Sequence, residues 1–358
     1  MTDVDALIRR KPYSIPEPEK TGLLLDGLAR LTRYHYENCR PYRRIVDGYW
    51  GGLHAASMDE LPYLPVSIFK KQALHSVPIA DIRLTLTSSG TTGQSVSKIL
   101  IDKETSILQQ KALASSLMHV MGPKRLPMLI IDTDAVLKDP KMMSARGAGV
   151  LGQMRFGRNH VFALRPDLSP DRDAIAGFLE RHGNEPFFLF GFTFMVWLRF
   201  HDQLKEDGLD LSNGTLLHSG GWKKMIERSV DNETFRNALA RAFGLKRIFN
   251  FYGMVEQIGS ILLEGPGGLL YPPNMTDIII RDPDTWQVQP PGEPGVVQLL
   301  SLLPQSYPGH SLLTEDLGVI EAVDPGTDGW MGKGLRILGR VPKAELRGCS
   351  DVIASEVA

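Results

Sequence analysis

Thr87-Ser88-Ser89-Gly90-Thr91-Thr92-Gly93, with Lys98 five residues further on, is the stretch on which the reading of this 358-residue chain turns. Glycines let backbone amides turn toward an anion. The serine and threonine hydroxyls add donors, and the lysine adds a mobile positive charge. Successive amides in such a turn form an anion-binding nest, for which a polyphosphate is the natural ligand. The spacing is not the Gly-x-x-x-x-Gly-Lys-Ser/Thr pattern of P-loop NTPases, because the lysine lies too far downstream. Taken alone, the run reads equally well as a polar linker, so its surroundings decide.

Working outward, short apolar runs alternate with helical stretches. Arg83–Thr87 leads into the loop, and Glu104–Met121 reads as a helix. Pro127–Ile131 is a strand ending at Asp132. Pro186–Phe190 is a second, ending at Gly191 and followed by a helix. Thr215–His218 is a third, ending at Ser219-Gly220-Gly221. Arg247–Phe251 is a fourth, ending at Tyr252-Gly253. This alternation predicts an α/β fold with a mainly parallel sheet flanked by helices. Ligands bind such sheets at the carboxyl ends of the strands, where all of these polar and glycine-rich turns are expected to fall. Beyond residue 265 Pro and Gly become dense. Asp277–Ile280, Val296–Leu302 and Leu317–Val323 read as strands of a β-rich section of the same domain. Upstream, Thr21–His35 has helical spacing and Leu61–Lys71 reads as an irregular docking segment. The chain is therefore divided into an N-terminal helical and irregular region (1–85), an α/β nucleotide-binding core (86–265), a β-rich section (266–340) and a tail (341–358).

Net charge is −1, so nothing in the electrostatics points to nucleic acid or an anionic membrane. Only Cys39 and Cys349 are present, which fits a reducing compartment rather than a disulfide framework. The N-terminus lacks signal-peptide character and no apolar run is long enough to span a bilayer. The expectation is a soluble cytoplasmic protein without integral membrane association.

The phosphate loop resembles the signature of the adenylate-forming superfamily of acyl-CoA synthetases, luciferases and peptide-synthetase adenylation domains. Three further motifs follow in the order that resemblance implies. They are an aromatic-Gly-x-Thr-Glu sequence (here Tyr252-Gly253-Met254-Val255-Glu256), a Thr-x-Asp (Thr314-Glu315-Asp316) and a Gly-Arg (Gly339-Arg340). Four ordered matches are far more specific than any one. The resemblance implies ATP and Mg2+ as cofactors. Ser88, Ser89, Gly90, Thr91, Thr92, Gly93 and Lys98 would hold phosphate. Tyr252 and Gly253 would sit at adenine, near Ser219, Gly220 and Gly221. Glu256 would hold Mg2+, and Asp316 and Arg340 would grip the ribose region. Val255 departs from the pattern, because the usual threonine hydroxyl is missing. So does the ending: only eighteen residues follow Arg340, too few for the mobile C-terminal lid of full-length members.

More narrowly, the chain is similar to the acyl-protein synthetases, LuxE-type fatty-acid ligases. The segments that carry this are Leu64–Lys70, the phosphate loop, Phe190-Gly191-Phe192-Thr193, His218–Lys223, Tyr252–Gln257, and Gly339-Arg340 through Arg347-Gly348-Cys349-Ser350. This resemblance implies adenylation of a carboxylic (fatty) acid, transfer of the acyl group to Cys349, and delivery to a partner acyl reductase. A thiolate is a good acyl acceptor, and Arg347 would favour it. Catalytic roles fall to Cys349, Lys98 and Glu256. Two other readings stay open: an acyl-CoA or acyl-carrier ligase in which Cys349 is a bystander, and a non-catalytic subunit that binds nucleotide or acyl ligand. Cys39 is expected to be structural, Trp197 and Met142-Met143 to fill apolar surface, and His218 to be either a ligand contact or a core histidine.

Overall fold

The computed structural model describes residues 3–53, 55–87, 96–138, 145–222, 227–325 and 329–341. The strands of these residues are β1 (Leu64–Pro65), β2 (Ile82–Thr87), β3 (Lys98–Asp102), β4 (Leu126–Ile131), β5 (Gly157–Phe162), β6 (Phe187–Phe192), β7 (Gly214–Ser219), β8 (Arg247–Tyr252), β9 (Leu262–Glu264), β10 (Leu270–Tyr271), β11 (Thr276–Arg281), β12 (Gly295–Ser301), β13 (Ser311–Val323) and β14 (Lys333–Arg340). They divide between two units. Of the described residues, the first comprises those within 3–87, 96–120 and 253–341, and the second those within 121–252.

The second unit holds the parallel sheet, in the order β5-β4-β6-β7-β8. Every residue of β6, Phe-Phe-Leu-Phe-Gly-Phe, is buried, as expected for a parallel strand covered on both faces. Phe187 and Leu189 share a core with Leu129, Ile131, Leu216 and Ile248. The helices that cover this core are cut by ordinary capping chemistry. Asp171 caps Arg172–His182 through the Ala174 amide at 3.1 Å. Asp231 caps Asn232–Phe243 through the Thr234 amide at 2.7 Å, and Gly244 ends that helix at φ +68°. Phe178, Phe235, Leu239 and Phe243 project from these helices into the core. Each such side chain contributes roughly 1.5–3 kcal/mol of burial. The chain order reverses between β4 and β6, so their carboxyl ends flank a topological switch point.

The first unit holds the antiparallel order β11-β12-β13-β14-β10-β9, with β1 running parallel along β13. The helix Glu17–Asn38 packs Leu24, Leu28 and Leu31 onto Ile279, Leu300 and Leu302. Gly27 permits the close approach, since a Cβ there would lie 2.7 Å from Leu302. A buried ion network also ties this helix to the sheet. Lys333 Nζ of β14 lies 2.9 Å from Glu17 and 3.0 Å from Asp277 of β11. Lys20 donates to the Pro272 carbonyl at 3.0 Å.

Two expectations need correction. The segment before the phosphate loop is not part of the parallel sheet. β2 pairs antiparallel with β3 in a two-stranded sheet of its own, with Thr87 opposite Lys98. The strand that precedes the phosphate-loop residues is therefore one of an antiparallel pair and not a parallel strand. The parallel sheet also contains β5, which was not anticipated. Gly157-Arg158-Asn159-His160-Val161-Phe162 is an edge strand, and a polar edge strand carries no apolar run to betray it. The other expected strands are present. β6 and β7 each run slightly further, to Phe192 and Ser219.

Candidate active site

In the first unit, Glu256 stands in a short turn, Val255–Gln257, whose backbone is fixed from below. Tyr307, fully buried, donates its hydroxyl to the Glu256 carbonyl at 2.9 Å. The Gln257 amide donates to the carbonyls of Leu299 and Gly309 at 3.2 and 2.8 Å. Gly309 is required there, because a Cβ would overlap the Tyr307 ring. The Glu256 side chain is 6% exposed. Burial raises its pKa, against a lowering by the Ser97 hydroxyl hydrogen bond and by the charge of Lys70, while Glu315 pushes it up further. It is a strong oxygen donor with too little positive charge beside it.

Asp316 and Arg340 face each other across β13 and β14. Arg340 Nε lies 3.4 Å from Asp316 Oδ1, and Nη2 donates to Glu315 Oε2 at 3.0 Å. The register shifts between Leu317 and Gly318, just beyond the pair. Such a bulge re-aims neighbouring side chains. The Asp316 amide donates to Thr314 Oγ1 at 3.1 Å, and that hydroxyl donates to the Val297 carbonyl at 2.8 Å. Asp316 is 20% exposed and Arg340 29%, so both remain open to a ligand. Lys70 completes the row, with Nζ 3.9 Å from Glu315.

In the second unit the carboxyl ends of the strands carry a different set. Ser219 closes β7, and Gly220 turns the chain at φ +88°, a conformation that favours glycine. Gly221 is exposed, with open space where a Cβ would stand. Tyr252 closes β8 and is half-buried. His218 is fully buried, with its ring 4.6 Å from that of Phe235 and Nδ1 3.0 Å from Thr193 Oγ1. Its Nε2 has no hydrogen-bond partner among the described residues. Burial, aided by Arg236, pushes its pKa down to about 3, so the ring is neutral at ordinary pH. At the end of β4, buried Asp132 accepts from Arg146 Nε at 2.7 Å.

The acyl-protein synthetase (LuxE) family model matches residues 1–358. The chain belongs to that family. Two relatives are long-chain-fatty-acid–luciferin-component ligases. That of Aliivibrio fischeri is 24% identical over 379 residues, covering 99% of this chain and 93% of its own length. That of Vibrio harveyi is 24% identical, covering 98% and 92%. Among solved structures, a 2-hydroxyisobutyryl-CoA ligase in an open conformation superimposes with TM-score 0.65 at 16% identity, over 94% of this chain and 78% of that one. The chain thus has the fold of that CoA ligase, and its family makes it a ligase.

Of the residues expected from sequence, this acyl-protein synthetase brings Asp316 and Arg340 together directly. Glu256 belongs to the same unit. Ser219, Gly220, Gly221 and Tyr252 gather at strand ends of the other unit. Lys98 is exposed at the start of β3, and Gly253 is exposed where the chain leaves β8. Ser88, Ser89, Gly90, Thr91, Thr92, Gly93 and Cys349 lie outside the described residues, as do Met142 and Met143. Cys39 is 2% exposed and burial raises its thiol pKa, as a structural cysteine requires. Trp197 packs against the core of the second unit. Sequence reasoning gave no role to Lys70, Glu315, Ser97 or Thr193. Lys70 stood within the quoted Leu64–Lys70 segment, and Glu315 occupies the middle of Thr-x-Asp, where the motif specifies nothing.

Proposed function

We propose that this chain uses ATP and Mg2+ to convert a fatty acid into its acyl-adenylate, passes the acyl group to Cys349, and delivers it to a partner acyl reductase. The family and fold support acyl activation. The fatty nature of the acid follows the printed names of the two relatives. The observation that carries the reading is the cross-strand pair Asp316–Arg340 in the unit that also buries Glu256. Asp316 can accept from both ribose hydroxyls while Arg340 fixes its orientation. Ser219, Gly220, Gly221 and Tyr252 serve the adenine. The amides and hydroxyls of Ser88–Gly93, with Lys98, serve the phosphates.

Mg2+ fits the residues present. Glu256 is a buried carboxylate short of countercharge, and no group of three or more potential ligands surrounds it among the described residues. One protein carboxylate, with phosphate and water completing the shell, is how Mg2+ is usually held. When bound, the ion neutralises phosphate charge. The chain's own part is to hold the carboxylate of the acid in line with the α-phosphorus and to exclude water from a reactive anhydride. The thiolate of Cys349 then attacks the acyl carbon, forming a thioester and releasing AMP.

ATP–pyrophosphate exchange with a graded series of fatty and aryl acids tests this reading. Acid-dependent exchange that rises with alkyl chain length supports it. Exchange with none of the acids would reduce the chain to a binding subunit.

A further inference from the structure

The segment Leu64–Lys71 is built into the candidate site from two directions. Its β1 residues pair with β13, Leu64 opposite Leu312 and Pro65 opposite Leu313, and the Val66 amide continues to the Leu313 carbonyl at 2.9 Å. Those contacts lie immediately before Thr314-Glu315-Asp316. The next turn buries Phe69 edge-on against Tyr307, ring centroids 6.0 Å apart. Tyr307 is the residue whose hydroxyl holds the Glu256 carbonyl. Lys70 therefore stands on a short turn, Ile68–Lys71, clamped both to the strand carrying Asp316 and to the residue supporting Glu256.

Its ammonium faces Glu315, beside Asp316. Nζ is 3.9 Å from Glu315, a loose pair, and its charge acts on Glu256. The side chain is 21% exposed, so a ligand can meet it. In a nucleotide the α-phosphate is the atom group that joins the ribose to the metal-bound phosphates. If Asp316 holds the ribose and Glu256 the metal, the group between them is the reacting phosphorus. We infer that Lys70 is a catalytic residue of the adenylation step, its ammonium contacting the α-phosphate oxygens. This rests on the proposed adenylation. In that step the bond that forms joins a carboxylate oxygen to the α-phosphorus. The bond that breaks joins the α-phosphorus to the bridging oxygen, which leaves with its electron pair as pyrophosphate. No proton moves. An anion attacks an anion, so the demand is for positive charge on the non-bridging oxygens. Arg340 is committed to Glu315 and Asp316, and Lys70 meets that demand.

The test compares wild type with Lys70→Met and Lys70→Arg in ATP–pyrophosphate exchange and in calorimetric binding of AMP, with melting temperature as a control. Lys70→Met is expected to lower kcat by about 100-fold or more and to weaken AMP binding, with melting temperature nearly unchanged. Lys70→Arg keeps the charge and recovers part of the rate. The rate ratio of ATP to ATP carrying sulfur at a non-bridging α-oxygen should differ between the two sulfur diastereomers in wild type and lose that difference in Lys70→Met. Exchange by a folded Lys70→Met at the wild-type rate would overturn the inference. Should Lys70→Met not fold, an unaltered diastereomer ratio in Lys70→Arg overturns it instead. Absence of exchange in wild type would strike the adenylation reading itself, and Lys70 with it.

Discussion

At Glu256 burial raises the carboxyl pKa, and the Ser97 hydroxyl and Lys70 only partly oppose it. A proton and a divalent cation therefore compete for the same oxygens. The Mg2+ concentration needed for half-maximal exchange should rise as pH falls, and the dependence should vanish in Glu256→Gln. That variant is expected to lose about 100-fold or more in kcat. Asp316 acts differently, on binding. Asp316→Asn keeps the shape but removes the charge from a hydrogen bond, and should raise KM for ATP about 10- to 100-fold with a smaller change in kcat. Cys349→Ala separates the two halves of the proposed reaction. Exchange should persist at the wild-type rate while covalent labelling by acid and ATP disappears. Labelling that survives would assign the acyl group to another acceptor.

The strands that carry these residues are held by elements remote from them. β14 delivers Arg340 at one end and inserts Lys333 into the Glu17–Asp277 pair at the other. Burial lowers the Lys333 pKa, but Asp277 and Glu17 outweigh it and hold the ammonium charged. Breaking a buried pair leaves an uncompensated charge, so Lys333→Met should cost about 3–5 kcal/mol in chemical denaturation. Much at this scale was legible from sequence. Tyr252-Gly253 and Ser219-Gly220-Gly221 are local motifs at strand ends, Thr314-Glu315-Asp316 and Gly339-Arg340 are local motifs that pair across β13 and β14, and apolar runs announced β4, β6, β7 and β8. What escaped was non-local. β5 is polar because it is an edge, and β2 and β3 are sheet partners of each other, which no run of residues can express. Lys70 gains meaning only when β1 aligns with β13.

Among the described residues, three of the buried histidines, His35, His218 and His310, set a limit on acid tolerance. In the first unit, His35 accepts from Ser76 at 2.7 Å, donates to the Pro304 carbonyl at 3.2 Å and stacks on His310 at 5.0 Å. His310 Nε2 donates to Thr32, whose own hydroxyl is given to the Leu28 carbonyl. In the second unit, His218 packs on Phe235. Burial pushes His35 and His218 down to about 3, and burial with the neighbouring His35 puts His310 well below its ordinary range. The unfolded chain therefore binds protons that the folded one refuses. The stability from these groups is complete above an unfolded pKa of roughly 6.5 and is lost as pH falls toward 3. Each contributes at most about 1.4 kcal/mol per pH unit in that window. Melting temperature should fall steadily below pH 6.5, and His35→Asn should flatten the slope. An unchanged slope would locate the acid sensitivity elsewhere.

A crystal structure with a non-hydrolysable acyl-adenylate analogue, an acyl-sulfamoyl adenosine, bears most directly on the site. The expected result puts both ribose hydroxyls within hydrogen-bond distance of the Asp316 carboxylate, with the sulfamoyl group, in the place of the α-phosphate, facing Lys70. An analogue bound away from β13 and β14, with the Asp316 carboxylate still paired with Arg340 and not with the ribose, would contradict it.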